Sequence, residues 1–128
     1  MNLLIALTML FNPVEPDFNI ASGYGIDPHF AKAVAVVESG WGHDSRMARV
    51  DKNIFGMYGK KFESVNHGIH HWCKMMKTKY PKDIDAIARK YCPPNSEKWA
   101  ERVRRIMWKL KRKWKGKYTF FMTGLKMR

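Results

Sequence analysis

Val65, Ile69, Trp72 and Met76 recur at intervals of four, three and four, the spacing of one face of an α-helix. Ser64 stands at a capping position and Pro81 forbids continuation, so the pattern predicts a helix over 64–79. Asp27-Pro28 is a second helix start, an N-cap followed by proline at the first helical position. The helix it opens runs through Phe30, Ala31, Ala33, Val34, Ala35, Val36 and Val37 and ends at Gly40. It is apolar on almost every side, which marks a central, buried helix. A short helix follows over 83–91, closed by Pro93-Pro94. The last begins near Asn95-Ser96 and continues past Leu110, with Trp99, Val103, Ile106 and Leu110 as its apolar stripe and Arg102, Arg105, Lys109 and Arg112 opposite. Residues 40–59 are Gly-rich and read as loops with room for one helical turn. No stretch shows the strict alternation of a half-buried strand. The fold expected is mainly α.

The first eleven residues are an apolar run (Leu3, Leu4, Ile5, Leu7, Met9, Leu10, Phe11) with no preceding Lys or Arg and no clear small-x-small cleavage site. They read as a first core helix ended by Pro13 and Pro16, rather than as a signal peptide. No apolar run approaches the roughly 20 residues of a membrane-spanning helix.

Length and composition narrow the class. A chain of 128 residues suits one domain. Its 45% apolar content and its aromatic residues (Phe 7, Trp 5, Tyr 5) are enough for a packed core, which excludes a disordered chain. Two cysteines, Cys73 and Cys92, are too few for a disulfide framework and read as free thiols. The net charge of +13 implies a polyanionic partner: nucleic acid, an anionic membrane or an anionic wall polymer. That charge is uneven. Residues 1–31 carry three acids and no Lys or Arg, whereas residues 102–128 carry 11 bases and no acid.

Glu38 is the leading candidate for chemistry. It sits in the last turn of the buried helix, where low-dielectric surroundings and the negative end of the helix dipole both disfavour a charged carboxylate. A carboxylic acid that keeps its proton near neutral pH is what general-acid catalysis requires. Gly40 and Gly42 allow a sharp turn beside it, and Trp41 offers a face for a sugar ring. By composition alone, a glutamate at a helix end that simply meets water is the more ordinary arrangement.

The segment Glu38-Ser39-Gly40-Trp41-Gly42, followed by Ser45, Ala48 and Asn53-Ile54-Phe55-Gly56-Met57, resembles the bacterial and phage glucosaminidase family (glycoside hydrolase family seventy-three, the flagellar peptidoglycan hydrolase type). Gly25-Ile26-Asp27-Pro28 looks like the helix entry of lysozyme-like enzymes, and 87–91 and 98–103 resemble the family's later helices. The likeness extends over about residues 20–110. It implies a compact, mainly α, lysozyme-like domain occupying the chain, with a basic extension over about 111–128. It implies cleavage of a β-1,4 bond in peptidoglycan after N-acetylglucosamine. Glu38 matches the motif glutamate and would be the general acid. Tyr91 matches the family's helix-borne tyrosine and would be its catalytic partner. Trp41, Asn53, Phe55 and Tyr58 are the expected substrate contacts, with Phe55 and Gly56 in the turn under the cleft. No cofactor is implied, since acid-base glycoside cleavage needs none.

The sequence departs from the family pattern in one respect. Many members insert a β-hairpin lobe carrying a second acid after the N-[LI]-F-G turn, but here only 58–62 precede Glu63. The lobe is reduced or absent. Glu63 becomes the nominal second carboxylate, with Asp44 and Asp51 as weaker candidates. Glu63 could equally face solvent in the first turn of the next helix, in which case the substrate's own 2-acetamido group could act as the nucleophile. Lytic transglycosylases are the close alternative, but their usual G-L-M-Q-like segment is replaced here by Asn53-Ile54-Phe55-Gly56-Met57.

Glu63, His67 and His71 share one helix face, with His70 and Cys73 near, but zinc takes convergent ligands from more than one element and there is no H-E-x-x-H. No metal is expected. The C-terminal run of bases with Trp114, and Phe120, Phe121 and Met122 after it, suits nucleic acid or a membrane surface by composition. Given the upstream motifs, anionic wall polymers are the expected partner and nucleic acid is not. A monomer acting on the bacterial wall is expected, as a phage lysin or virion enzyme or as an exported bacterial enzyme. The rival of another class is a non-catalytic cationic binding protein on the same scaffold.

Overall fold

The computed structural model describes residues 16–40 and 46–126, with side chains as far as residue 113. The expected helix over 1–11, and Trp41 and Asp44, lie outside the described residues.

A 3-10 helix, Phe18–Tyr24, comes first. Asp17 caps it through a bond from the Asn19 N–H, and Gly25 ends it in the left-handed region at φ 73°. The Asp17 N–H donates to Asn66 Oδ1 at 2.9 Å, which ties this turn to a helix 49 residues later. Helix α1, Pro28–Ser39, follows as its cap predicts, with Asp27 accepting from the His29 N–H at 2.8 Å. Phe30, Ala31, Ala33, Val34, Ala35 and Ser39 are buried on it. The run of small alanines lets neighbouring backbones approach on several sides, as a central helix requires. The glycine-rich loops hold the one helical turn for which there was room, α2, Arg46–Val50.

Helix α3, Val65–Lys79, is capped by Ser64, whose hydroxyl accepts from the His67 N–H at 3.0 Å. Its buried positions are Gly68, Ile69, Trp72, Cys73 and Met76. Trp72 is fully buried between Phe55, stacked on it at 4.2 Å, and Phe30 of α1 at 6.0 Å. Losing such a ring costs about 3–5 kcal/mol. Gly68 sits at a close approach, where a Cβ would stand 3.0 Å from the Lys52 carbonyl oxygen and from the Phe62 ring. Helix α4, Ile84–Tyr91, is capped by Asp83. A 3-10 turn at Pro93–Asn95 then leads into α5, Ser96–Lys126.

Helix α5 runs antiparallel to α1 and packs on it, on α4 and on the 3-10 turn before it. Two polar contacts pin the ends of the α1–α5 pair. Trp99 Nε1 donates to Glu38 Oε1, and Lys111 bridges to Asp27 at 2.9 Å. The eleven residue steps between these points on α1 rise about 17 Å, and the twelve on α5 about 18 Å, so the helices stay in step. Burial works to raise the Asp27 carboxyl, but the Lys111 hydrogen bond, the His29 N–H and the charges of both residues bring it below the ordinary aspartate value. Helix α4 is held to α5 by a bidentate Arg104–Asp85 pair at 2.7 and 2.8 Å.

There is no strand among the described residues, in line with a mainly α fold whose β-hairpin lobe is reduced. Between Met57 and α3 there is only a tight turn, Lys60 N–H to Met57 O, and a contact from Phe62 N–H to Asp51 O. Both cysteines are free. Cys73 is buried, and burial pushes its thiol up to about 11. No helix among the described residues is long and apolar enough to cross a membrane.

Candidate active site

Glu38 lies in the last turn of α1, half-buried. Gly40 closes the helix at φ 56° and its N–H returns to Val36 O, so the chain leaves α1 beside the carboxylate. Oε1 accepts from the indole N–H of Trp99 at 2.8 Å. Oε2 is turned toward Gly56, where a Cβ would lie 3.8 Å from it. Gly56 is exposed and has φ 65°, a left-handed conformation suited to glycine. One oxygen of Glu38 is therefore anchored in the protein, and the other faces an accessible backbone turn.

That turn is built by Asn53. Its amide Nδ2 donates to Met57 O at 2.6 Å and Lys60 O at 3.1 Å, and its Oδ1 accepts from the Met57 N–H at 3.0 Å. Ile54 and Phe55 point into the core, and Phe55 stacks on Trp72. Tyr91 ties the turn to α5. Its hydroxyl donates to Phe55 O at 3.4 Å and accepts from Trp72 Nε1 at 3.3 Å, while its ring packs on Trp99 at 5.1 Å. Burial pushes the Tyr91 phenol well above the ordinary tyrosine value. The Trp72 N–H works the other way, and the Glu38 charge adds to the rise. Tyr91 thus stays a neutral phenol. Glu38, Trp99, Tyr91, Trp72 and Phe55 form one connected group drawn from α1, α3, α4, α5 and the 53–57 turn.

Two expected substrate contacts are corrected by this geometry. Asn53 is fully buried with its amide used on backbone groups, and Phe55 is 1% exposed. Neither presents a surface to a ligand; both position the turn. Tyr58, at 96% exposure, is free to make contacts from the same loop. Tyr91 stands beside Glu38's partner Trp99, with its hydroxyl engaged inside the protein. Glu63 is on an exposed bend immediately before the Ser64 cap, not inside α3, and has no polar contact with Glu38 or its partners. Among the described residues, no group of three or more His, Cys, Asp or Glu could hold a metal. The Tyr24 hydroxyl instead pairs with His70 Nδ1 at 2.8 Å, and Phe62 packs on His67 and His71.

The partner of Glu38 was not among the expected site residues. Trp99 reads in the sequence as one position of an apolar stripe. The available signal was its indole N–H, which needs an acceptor once the ring is buried.

The family model described as Glucosaminidase: Mannosyl-glycoprotein endo-beta-N-acetylglucosaminidase matches residues 18–112. No curated protein matches the chain.

Proposed function

The chain belongs to the glucosaminidase family and is a glycoside hydrolase acting on peptidoglycan; from that premise we propose that it cleaves the β-1,4 bond after N-acetylglucosamine, with Glu38 as general acid. The observation that carries this reading is the asymmetric setting of the carboxyl group, with Oε1 held by Trp99 and Oε2 turned to the exposed Gly56. A proton carried on Oε2 is placed for transfer to a glycosidic oxygen entering from the Gly56 side. As the bond between C1 and that oxygen breaks, the proton passes to the leaving sugar. The negative charge left on Glu38 falls where the Trp99 N–H already points, so that donor stabilises charge as it develops.

We assign the second half of the reaction to the substrate rather than to Glu63. The carbonyl oxygen of the 2-acetamido group bonds to C1 as the leaving group departs. Water then opens the resulting ring, giving its proton to Glu38 and leaving N-acetylglucosamine at the new reducing end. Support comes from Glu63 itself, exposed and without contact to the Glu38 group. Tyr91 is a positioning residue in this scheme, and Tyr58 and Trp41 are the aromatic contacts for sugar rings. The setting is the bacterial wall, reached by a phage lysin or virion enzyme or by export from the bacterium.

Digestion of purified peptidoglycan by the wild type, Glu38→Gln and Glu63→Gln, with mass spectrometry of the products, tests both assignments. Reducing-end N-acetylglucosamine is expected from the wild type and, within about threefold in rate, from Glu63→Gln. Loss of a positioned general acid lowers the rate by about 10²–10⁴, the outcome expected for Glu38→Gln. A 1,6-anhydro-muramoyl product would make the enzyme a transglycosylase. A hundredfold loss in Glu63→Gln would return the second carboxylate to Glu63.

A further inference from the structure

The fold sorts the cations of α5 onto two flanks. At 100° per residue, measured from the buried Trp99, Arg104 and Lys111 lie on one flank at about +120 to +140°. Both are neutralised there, Arg104 by Asp85 and Lys111 by Asp27. On the other flank, Lys98, Arg102, Arg105, Lys109, Arg112 and Lys113 fall within an arc of about 100° and along about 22 Å of helix. All six are exposed. Among the described residues Arg105 alone of these has an acid partner, Glu101 at 2.9 Å, an exposed pair of small worth. On one flank of α5 the cations are paired with acids outside the helix; on the other, five of the six have no acid partner among the described residues.

We propose that this flank is a docking surface for the poly(polyol phosphate) chains of the bacterial wall. The proposal rests on the peptidoglycan reading for the choice of polymer and on the structure for the surface. A line of six cations, one of them paired with an acid, matches a flexible chain with phosphate at regular intervals. A membrane fits less well. An interfacial helix needs its apolar face free, and over 99–103 the apolar face of α5, with Trp99, Ala100 and Val103, is buried in the core. Single-stranded nucleic acid calls for aromatic platforms on which bases stack. The flank borders one exposed aromatic, Trp108, and the Arg112 guanidinium lies 5.1 Å over its ring.

The test uses the full chain and a quadruple variant, Lys98→Gln/Arg102→Gln/Lys109→Gln/Arg112→Gln. Sedimentation at 4 °C measures binding to intact walls and to walls stripped of phosphate polymer by hydrogen fluoride. For single-stranded nucleic acid the slope of log K against log salt is about −0.7 per neutralised phosphate, which sets the scale for a flexible phosphate chain. Removing four cations should therefore flatten the slope by about 3. The basic residues beyond 113 add their own slope, so the difference between proteins is what is read. Between 0.1 and 0.3 M salt the wild type should lose about twentyfold more affinity for intact walls than the variant does, on the same scaling. Wild type should also bind intact walls more tightly than stripped ones. Equal wild-type binding to both walls, an unchanged slope in the variant, or tighter binding to DNA or anionic vesicles at matched salt would each overturn the proposal. Hydrolysis of a soluble glycan oligomer, unchanged in the variant, reads the active site separately, so failure of the catalytic reading is seen there and not in the binding.

Discussion

Trp99→Phe removes the indole N–H together with part of the ring and keeps an aromatic face in the same place. The phenyl ring can still pack on Tyr91 and fill the core position between α1 and α5, where Trp99 is 5% exposed. What is lost is the 2.8 Å bond from Nε1 to Glu38 Oε1. Hydrogen bonds to charged groups are worth about 1.5–3 kcal/mol. If Glu38 gives up its proton in the rate-limiting step, that bond is stronger in the transition state than in the ground state, and its loss appears in kcat. The range converts to a fall of about 10- to 150-fold. KM should stay within about twofold, because the indole N–H faces the carboxylate and not the ligand. The assay is the initial rate of soluble glycan hydrolysis at 25 °C, with kcat and KM separated, on protein shown to be folded by circular dichroism and thermal melting. A melting point a few degrees lower is acceptable, since a smaller ring leaves some space. A folded Trp99→Phe enzyme with kcat within threefold of wild type would show that the Trp99 N–H takes no part in proton transfer. The bond would then be a packing contact, and Glu38 would not depend on it during proton transfer.

Three further outcomes follow from the same geometry. Gly56→Ala places a methyl 3.8 Å from Glu38 Oε2 and forces alanine to φ 65°, a strain of about 1–2 kcal/mol; kcat/KM should fall at least about tenfold while the melting point drops only a few degrees, and near wild-type kinetics would show that substrate does not approach from that side. Asn53→Ala strands the Met57 N–H and the Lys60 carbonyl and takes one of two donors from the Met57 carbonyl, which keeps the Lys60 N–H; at about 1 kcal/mol for each lost bond, denaturant unfolding should show a loss of about 3 kcal/mol, with activity falling further as the turn loosens. Cys73, with its thiol raised to about 11 by burial, is about one part in a thousand thiolate at pH 8; alkylation followed by mass mapping should label Cys92 in the native protein and Cys73 only in denaturant.

The helices were legible because each carries its own punctuation. Asp27 and Ser64 cap as their positions suggest, Asp83 proves to be the cap of α4, and α3 and α4 fall within a residue of the expected spans. The 3-10 helix Phe18–Tyr24 was not foreseen. It has little periodic signal, and its anchor is the long-range bond from Asp17 to Asn66. The candidate site divides in the same way. Glu38 stands out in the chain because Glu38-Ser39-Gly40-Trp41-Gly42 resembles a family motif; on composition alone a glutamate at a helix end would be ordinary. Its partner Trp99 lies 61 residues away, and no local pattern links the two. Asn53 misleads for the opposite reason. A polar residue in a glycine-rich loop looks like a ligand contact until burial shows it spending its amide on the backbone.

That use of Asn53 explains how the site can persist with so little of a β lobe. A hairpin would satisfy the backbone of the segment after Phe55 through a ladder of strand pairs. Here the segment is too short to pair, yet its polar groups cannot go unmet beside the core. One buried amide meets three of them, and every buried side-chain nitrogen and oxygen among the described residues has a partner. The turn is then fixed from below by Phe55 on Trp72 and from the side by the Tyr91 hydroxyl on the Phe55 carbonyl. Both supports come from helices, α3 and α4, whose positions are set by the core and by the Arg104 bridge to α5. Gly56 is therefore held against Glu38 by helical packing rather than by a sheet. Damage to that packing far from the carboxylate, as at Trp72, should reach the rate of hydrolysis through the position of this one turn.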